Sequence, residues 1–253
     1  MIMTTAFGQI PNDKDILPWI GEGKGKTATD ATGNGNDGIF DAGAKWVAGG
    51  KYGAGISLEA KGSYLEVPNV IKEEGSLVLW FKPNWDGSDK SDYRIFDASL
   101  GGIYFFIGKG SAHVDITPAE FGFYFEAADD ADWQDVEFDP KGVIKKGKWF
   151  HVVATWDFSG GATPFLYIDG KELGTSPKKI EGGFPALNEK PRFGTETIKY
   201  IPITNGAEGI IDEIAFYAKV LEEKEIQGIM DASAPVEPSG KFTTTWGDIK
   251  YRY

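Results

Sequence analysis

The chain has 253 residues, with 38 acidic against 26 basic side chains and a formal net charge of −12 at pH 7. This acidic excess argues against a nucleic-acid partner, because binding a phosphate backbone requires clustered Lys and Arg. The absence of cysteine excludes disulfides and thiolate metal sites, and no apolar run approaches the ~20 residues of a membrane-spanning helix.

The N-terminal residues 1–14 precede the first apolar segment and are predicted to form an arm outside the folded body. Within this arm, Ala6-Phe7-Gly8 has the small-x-small pattern of a signal-peptidase site. The basic and apolar segments of a signal peptide do not precede it. The pattern fits either the remnant of a trimmed signal or a coincidence, and we expect a protein that is secreted or lies at the cell surface.

The segment from Asp30 to Gly38 places oxygen-bearing side chains at alternate positions of a glycine-broken loop. Hard cations such as Ca²⁺ take six to eight oxygen ligands from carboxylates, amides and carbonyls, so this loop predicts a calcium site. Its glycine-rich flanks exclude the paired helices of an EF-hand, because glycine runs destabilise helices. The alternative is a polar turn in which Asn, Asp and Gly supply left-handed backbone angles.

Strand-like runs bounded by Gly, Pro, Asn and Asp occupy most of the remaining chain. The predicted strands are Tyr64–Val67, Ser76–Phe81, Tyr93–Ala98, Ile103–Ile107, Phe121–Glu126, Trp149–Trp156, Phe165–Ile168 and Ile210–Tyr217. Asp169-Gly170 predicts a type I′ hairpin turn, and an apolar stripe predicts one helix over Glu222–Met230. Many short strands followed by one late helix predict an all-β, two-sheet antiparallel sandwich with one short C-terminal helix.

The last predicted strand contains a carboxylate in an apolar row. Read with period two, Ile210, Asp212, Ile214 and Phe216 share one face, which would be the core face. A carboxylate there is costly unless it is paired, hydrogen-bonded or bound to a metal. Two interpretations follow: a cation shared with the Asp30–Asn36 loop, or backbone N–H donors from the glycine-rich loop.

Two polar or terminal segments are predicted to lie outside the sandwich. The acidic stretch Ala128–Asp139 is too polar for a core and is predicted to be a long loop. Residues 235–253 begin with a proline-containing linker and continue into a β-prone tail around Phe242–Trp246. Such a tail can pair with the edge of a sheet, either in its own domain or in a neighbouring copy.

Candidate ligand-binding and catalytic residues are few. Trp85 and Trp133 lie in polar segments, where each could be a platform for a sugar ring or an anchor for its loop. The alternating acids Asp135, Glu137 and Asp139 have a spacing similar to the Glu-x-Asp-x-Glu signature of glycosidases, with Asp and Glu exchanged. Because this stretch is predicted to be a solvated loop, we expect no catalytic residue and no enzymatic activity.

Four spaced motifs together resemble a laminin-G-like domain of the concanavalin A-like jelly-roll type, over about residues 15–232. They are Asp-x-Thr-Gly-Asn-Gly-Asn-x-Gly, Gly-Lys-Trp-Phe-His-Val-Val-Ala-Thr-Trp-Asp, Leu-Tyr-Ile-Asp-Gly-Lys, and Gly-Ile-Ile-Asp-Glu-Ile-Ala-Phe-Tyr before a helix. The resemblance implies one jelly-roll domain, which we place at residues 15–234. It also implies a structural Ca²⁺ held by residues matching Asp30, Gly33, Asn36 and Asp212.

The sequence departs from this pattern in two places. Glu222 stands at the helix start, where a hydroxyl-bearing cap is usual. Pro18 interrupts the first strand and confines it to a sheet edge or a bulge.

Three functions follow in order of preference. The first is a non-catalytic, calcium-stabilised extracellular module for adhesion or carbohydrate binding, with a glycan or an extracellular-matrix ligand as partner. The second is an extracellular structural subunit that polymerises with copies of itself through its terminal arms. The third is a glycoside hydrolase.

Overall fold

The structure is a computed structural model that describes residues 17–19, 25–111, 116–128, 133–160, 163–175, 179–180, 182–197 and 205–232. The predicted arm at 1–14 and the predicted linker and tail at 235–253 lie outside these residues. No helix in the described part of the chain is long and apolar enough to cross a membrane.

The described residues form short strands and one helix. Their bounds are β1 Leu17–Trp19, β2 Thr27–Ala28, β3 Gly38–Asp41, β4 Lys45–Ala48, β5 Ala54–Ser57, β6 Tyr64–Glu66, β7 Glu74–Pro83, β8 Tyr93–Asp97, β9 Phe105–Ser111, β10 Ile116–Glu126, β11 Trp133–Phe138, β12 Phe150–Asp157, β13 Phe165–Ile168, β14 Lys171–Thr175, β15 Arg192–Phe193, β16 Gly209–Tyr217 and α1 Glu223–Ala232.

These strands form two eight-stranded antiparallel sheets. The first sheet has the order β14-β13-β12-β7-β16-β5-β4, with β1 also paired to β16. The second sheet has the order β11-β10-β9-β8-β15-β6-β3-β2. Neighbours in these orders are often distant in sequence, as in a jelly-roll sandwich, so the predicted fold class is confirmed.

The core lies between the two sheets and is rich in aromatic side chains. Phe81 and Phe150 from the first sheet and Phe121 from the second meet edge-on, with ring centroids about 6 Å apart. Edge-to-face contacts of this kind add to the stabilisation from apolar burial. Each sheet therefore presents one apolar face to the core and one face away from it, which is called its outer face below.

Most predicted elements are present with shifted ends. The hairpin turn is confirmed, because Asp169 and Gly170 have φ values of 50° and 72° as a type I′ turn requires. The helix runs from Glu223 to Ala232, and its Ile226 and Ile229 pack with the preceding Leu221 on the outer face of the first sheet. In place of a hydroxyl cap, the Glu225 carboxylate accepts the backbone N–H of Glu222 at 3.1 Å.

The assignment of Asp212 to a core-facing row is wrong. A β-bulge between Asp212 and Ala215 shifts the register of β16 against β7, and Glu213 within it has φ of 52°. The extra residue breaks the period of two, so that Ile211, Ile214 and Phe216 enter the core. Asp212 instead pairs with Trp80, which does not belong to the core cluster between the sheets.

The prediction of a long loop at Ala128–Asp139 is also wrong over its second half. Residues Trp133–Phe138 form β11, the terminal strand of the second sheet in the order above. Within it Val136 is buried in the core, while its neighbours Asp135 and Glu137 remain partly exposed. A strand at this position tolerates polar residues because only one of its faces is packed.

Candidate functional site

The outer face of the second sheet carries a line of polar and aromatic side chains, which we call the polar row. The strand registers align these residues from β11 across β10 and β9 to β8. The polar row comprises Glu137, Asp135, Tyr124, Phe106, Arg94 and Asp97.

Arg94 and Asp97 share the outer face because β8 is bulged. The register against β9 shifts between Arg94 and Phe96, so that both Ile95 and Phe96 enter the core. The Arg94 guanidinium carbon lies 3.3 Å from the centroid of the Phe106 ring, a cation–π contact. Its Nη1 atom is 3.6 Å from a carboxylate oxygen of Asp97.

Arg94 keeps an unused hydrogen-bond donor although it is buried. Its side chain is 4% exposed, and its Nη1 atom has no hydrogen-bond partner. Desolvation lowers the pKa of Arg94, and the nearby Asp97 and Glu196 oppose that effect. A buried donor without a partner costs free energy, so such a group needs an explanation.

The segment after β15 contributes a matching unused acceptor. Glu196 is 7% exposed, and its Oε2 atom has no hydrogen-bond partner. Burial raises the pKa of Glu196, and Arg94 acts in the opposite direction. The adjacent Thr197 donates its hydroxyl to Asp97 at 2.6 Å, which ties this segment to the polar row.

Tyr124 connects the arginine end of the polar row to the carboxylate end. Its ring centroid lies 4.7 Å from that of Phe106, and its hydroxyl donates to Oε2 of Glu137 at 3.3 Å. The ring folds back over Gly122, where an added Cβ would lie 2.8 Å from it. The absence of a side chain at residue 122 therefore makes this position of the tyrosine possible.

The carboxylates of Asp135 and Glu137 are perturbed by burial and by repulsion from nearby carboxylates. Desolvation, Asp135 and Glu120 raise the pKa of Glu137 to about 7. Desolvation and Glu120 also raise the pKa of Asp135. At neutral pH, Glu137 can therefore act as a hydrogen-bond donor or an acceptor, depending on what binds beside it.

The predicted calcium loop is held by hydrogen bonds of its own. One carboxylate oxygen of Asp30 accepts the backbone N–H and the hydroxyl of Thr32, and the other accepts the backbone and side-chain N–H groups of Asn36. Gly33 adopts φ of 77° in this turn. These bonds outweigh the desolvation of the carboxylate and lower the pKa of Asp30.

Asp212 bonds to a different glycine-rich loop. Its Oδ2 atom accepts the backbone N–H of Tyr52 at 3.0 Å, and its Oδ1 atom accepts that of Glu213 at 3.0 Å. An added Cβ at Gly50 would lie 2.6 Å from the Asp212 carboxylate. The carboxylate therefore ties the bulge of β16 to the loop containing Gly50 and Tyr52.

This donor set fits a shared calcium ion only in part. The four bonds to Asp30 use roughly the four acceptor positions of a carboxylate, and the bonds of Asp212 described above go to another segment. Among the residues that the structure describes, no group of three or more His, Cys, Asp or Glu side chains could hold a metal ion. Backbone carbonyls and Asn side chains remain as oxygen ligands, and calcium stays a prediction.

The predicted sugar-binding role of Trp85 is wrong, and its alternative role as an anchor is correct. Trp85 is 2% exposed, stacks on Tyr93 at 4.5 Å between ring centroids, and donates its indole N–H to Ala207 at 2.9 Å. It packs into the core and cannot offer a face to a ligand. The backbone of Trp133 begins β11, and its side chain lies outside the described residues.

One feature of the sequence could have indicated the polar row, although the strand prediction ignored it. Arg94 and Asp97 are charged residues within an otherwise apolar predicted strand, Tyr93–Ala98. Tyr124 and Glu196 gave no such signal, because their partners come from other strands. Only the sheet register brings these residues together.

A laminin G family model, described as the concanavalin A-like lectin/glucanases superfamily, matches residues 59–227. The chain belongs to this superfamily. The match begins after the Asp30 loop and includes every residue of the polar row. No curated protein sequence matches the chain.

Solved structures with the same fold include two kinds of binding domain. The ligand-binding domain of botulinum neurotoxin serotype D in complex with N-acetylneuraminic acid has a TM-score of 0.65 and 18% identity over 90% of this chain and 52% of that one. Domain 4 of AbnA, an extracellular arabinanase from Geobacillus stearothermophilus, in complex with arabinotriose, has a TM-score of 0.63 and 18% identity over 85% of this chain and 97% of that one. The chain spans about half the length of the botulinum neurotoxin binding-domain structures that it matches.

Proposed function

We propose that this member of the superfamily is a non-catalytic carbohydrate-binding module whose ligand site is the polar row. The observation that carries the proposal is the pair of part-exposed carboxylates, Asp135 and Glu137, at one end of the row beside the Tyr124 hydroxyl. Sugar hydroxyls donate hydrogen bonds to an ionised carboxylate and accept one from a protonated carboxyl group. A small number of placed polar groups beside apolar surface is typical of ligand sites.

The similar structures support this proposal through the ligands in two of them. One holds N-acetylneuraminic acid and the other arabinotriose. Both ligands are sugars, and both proteins share the sandwich fold with this chain. We propose from this a glycan ligand and an extracellular role in carbohydrate binding or adhesion.

The test is binding of soluble oligosaccharides by isothermal titration calorimetry. Tyr124→Phe and Asp135→Asn keep the size of the side chain and alter its hydrogen bonding. One hydrogen bond contributes about 0.5–1.5 kcal/mol, so each variant should weaken binding about two- to thirteenfold. Glu172→Gln, at an exposed position of β14, is the matched control and should bind as wild type. Absence of binding to neutral, amino and acidic oligosaccharides alike would refute the proposal.

Glycoside hydrolysis is the second candidate, and the pKa of Glu137 favours it. An acid catalyst needs a carboxyl group that is still protonated near neutral pH, and Glu137 meets that condition. Asp135 lies two residues earlier on the same strand face, as a second carboxylate would have to. Because Asp135 and Glu137 lie on β11, the expectation of no catalysis can no longer be based on a solvated loop at these residues. Release of reducing sugar by the wild type, abolished in Glu137→Gln, would establish hydrolysis in place of simple binding.

Calcium binding and self-association are also part of the proposal, and both are supported by sequence features alone. Calcium rests on the oxygen-rich loop at Asp30 and would stabilise the folded module. Self-association rests on the β-prone tail, and truncation after Ala234 tests it. A full chain that sediments as an oligomer while the truncated protein sediments as a monomer would support assembly through the tail. If both proteins sediment as monomers, this part of the proposal is refuted.

A further inference from the structure

The loop between β11 and β12 carries positive charge in an acidic chain. We call residues 140–148 the lysine loop. Its four lysines are all exposed: Lys141, Lys145, Lys146 and Lys148. The chain as a whole has a formal net charge of −12, and the ion pairs formed among the described residues involve other cations. The ammonium groups of the lysine loop are therefore open to an anionic partner.

Asp86 and Asp139, beside the lysine loop, offset its charge only in part. Asp139 accepts the backbone N–H of Lys141 at 2.9 Å. Asp86 accepts the backbone N–H and the hydroxyl of Ser88, and it also interacts electrostatically with Lys145. Four ammonium groups against these two carboxylates leave the loop positive.

Two successive turns fix the backbone of the lysine loop. In the first turn, the N–H of Val143 donates to the carbonyl of Pro140 at 3.0 Å. In the second, the N–H of Lys148 donates to the carbonyl of Lys145 at 3.1 Å. The third residue of each turn is a glycine, with φ of 79° and 71°, as a type II turn requires. The loop therefore presents its lysines on a defined backbone.

The lysine loop also exposes an apolar side chain. Val143 is 43% exposed, whereas its neighbour Ile144 is buried in the core and accepts the backbone N–H of Gly87 at 2.9 Å. Directly after the loop, Trp149 is part-exposed, and the Nζ atom of Lys82 lies 5.1 Å from the centroid of its ring. The surface therefore combines positive charge with an exposed valine and a part-exposed indole.

This combination favours an anionic lipid bilayer over a soluble polyanion. Both attract lysine ammonium groups, but binding to a soluble polyanion gains little from an exposed valine. At a bilayer surface, lysines are attracted to anionic lipids and apolar side chains enter the boundary between headgroups and acyl chains. Tryptophan is enriched at the same boundary. The acidic remainder of the chain does not prevent docking, because salt screens exposed charges beyond about 8 Å.

We propose that the lysine loop is a docking surface for an anionic lipid bilayer. The ammonium groups of its lysines bind lipid phosphates, and Val143 enters the boundary between headgroups and acyl chains. The lysine loop is not part of the polar row, so this inference goes beyond the proposed function and can fail without it.

The test is cosedimentation of the full chain with lipid vesicles. The probes are vesicles of phosphatidylcholine alone and vesicles of phosphatidylcholine mixed with phosphatidylglycerol, which carries a negative charge. We expect binding to the mixed vesicles only, and weaker binding as salt is added. Absence of binding to the mixed vesicles, or equal binding to both kinds, would overturn the proposal.

Charge variants locate the docking surface. The triple variant Lys145→Gln, Lys146→Gln, Lys148→Gln should bind the mixed vesicles at least about tenfold more weakly, since each lysine near an anionic membrane contributes about fivefold, or about 1 kcal/mol. The matched control removes the same charge from three exposed positions outside the loop, through Lys72→Gln, Lys179→Gln and Lys224→Gln. It should bind as the wild type does. An equal loss in both triple variants would attribute binding to net charge and contradict a local surface.

Val143→Ser distinguishes a bilayer from a soluble polyanion. The substitution leaves the charge unchanged and lies at an exposed position, so the unfolding curve should not change. Binding to the mixed vesicles should weaken at least about fourfold, the value for one buried CH₂ group, while binding to heparin as a soluble polyanion should stay the same. If Val143→Ser binds the mixed vesicles as tightly as the wild type, the lysine loop does not enter a bilayer and the proposal is wrong.

Discussion

Replacing Glu137 with Gln should stabilise the protein at alkaline pH and leave its stability unchanged at acidic pH. The pKa of Glu137 rises from its ordinary value of 4.5 to about 7 in the folded protein, through desolvation and through repulsion by Asp135 and Glu120. The folded state therefore holds the proton more tightly than the unfolded state. The corresponding stability is fully present below about pH 4.5 and is lost as the pH rises through about 7.

The magnitude follows from the difference in pKa between the two states. One pKa unit corresponds to about 1.4 kcal/mol, which would give about 3 kcal/mol for the full difference. Because the carboxylate is part-exposed, solvent screening reduces this, and we expect about 1–2 kcal/mol. Gln cannot ionise, so Glu137→Gln avoids this loss of stability.

The assay is urea denaturation of both proteins at about pH 4.5 and about pH 8, with the free energy of unfolding extrapolated to water. Glu172→Gln is the control for removing one carboxylate from an exposed position. The reasoning is refuted if Glu137→Gln differs from the wild type by the same amount at both pH values, or if it is the less stable protein at pH 8. A stabilised variant with weaker glycan binding would show that the site is maintained at a cost in stability.

Three further predictions concern packing and metal binding. Gly122→Ala places a Cβ 2.8 Å from the Tyr124 ring, and we expect a loss of about 1–3 kcal/mol together with weaker glycan binding, whereas unchanged urea curves and affinity would contradict the contact. Trp85→Ala removes a buried anchor and should lower the free energy of unfolding by about 3–5 kcal/mol, measured by thermal or urea unfolding, without changing the glycan affinity of the folded protein. If the variant is fully folded but no longer binds glycan, Trp85 contacts the ligand after all. EDTA should lower the melting temperature, since Ca²⁺ at a hundredfold excess over its Kd adds about 2.7 kcal/mol, and Asp30→Ala should remove this effect; a melting curve of the wild type that EDTA does not change rules out the calcium site.

Local sequence patterns were sufficient for most of the sandwich. Trp149–Trp156 alternates with period two and forms β12 almost as predicted, because alternation is a property of the strand itself. Asp169-Gly170 forms the predicted turn because few other residues adopt two successive positive φ angles. The four motifs were also sufficient to identify the superfamily, which the family model confirms over residues 59–227.

The candidate site could not be derived from local patterns. Bulges within β8 and β16 each insert a residue that reverses the faces of the side chains beyond it. As a result Arg94 and Asp97 face outward together, and Asp212 leaves the core row that strict alternation assigned to it. A bulge is set by the pairing of neighbouring strands, and a single strand read alone contains no record of that pairing.

The sequence by itself determined the fold class, the order of the main strands, the helix and the oxygen-rich loop at Asp30, because each depends on residues close together in the chain. The tertiary structure decided which charged residues meet. Tyr124 reaches Glu137 only because β10 pairs with β11 and Gly122 leaves room for the ring. The raised pKa of Glu137 has the same origin, since it arises from burial and from carboxylates that include Glu120 on the neighbouring strand. The chemistry of the polar row is therefore a consequence of strand pairing.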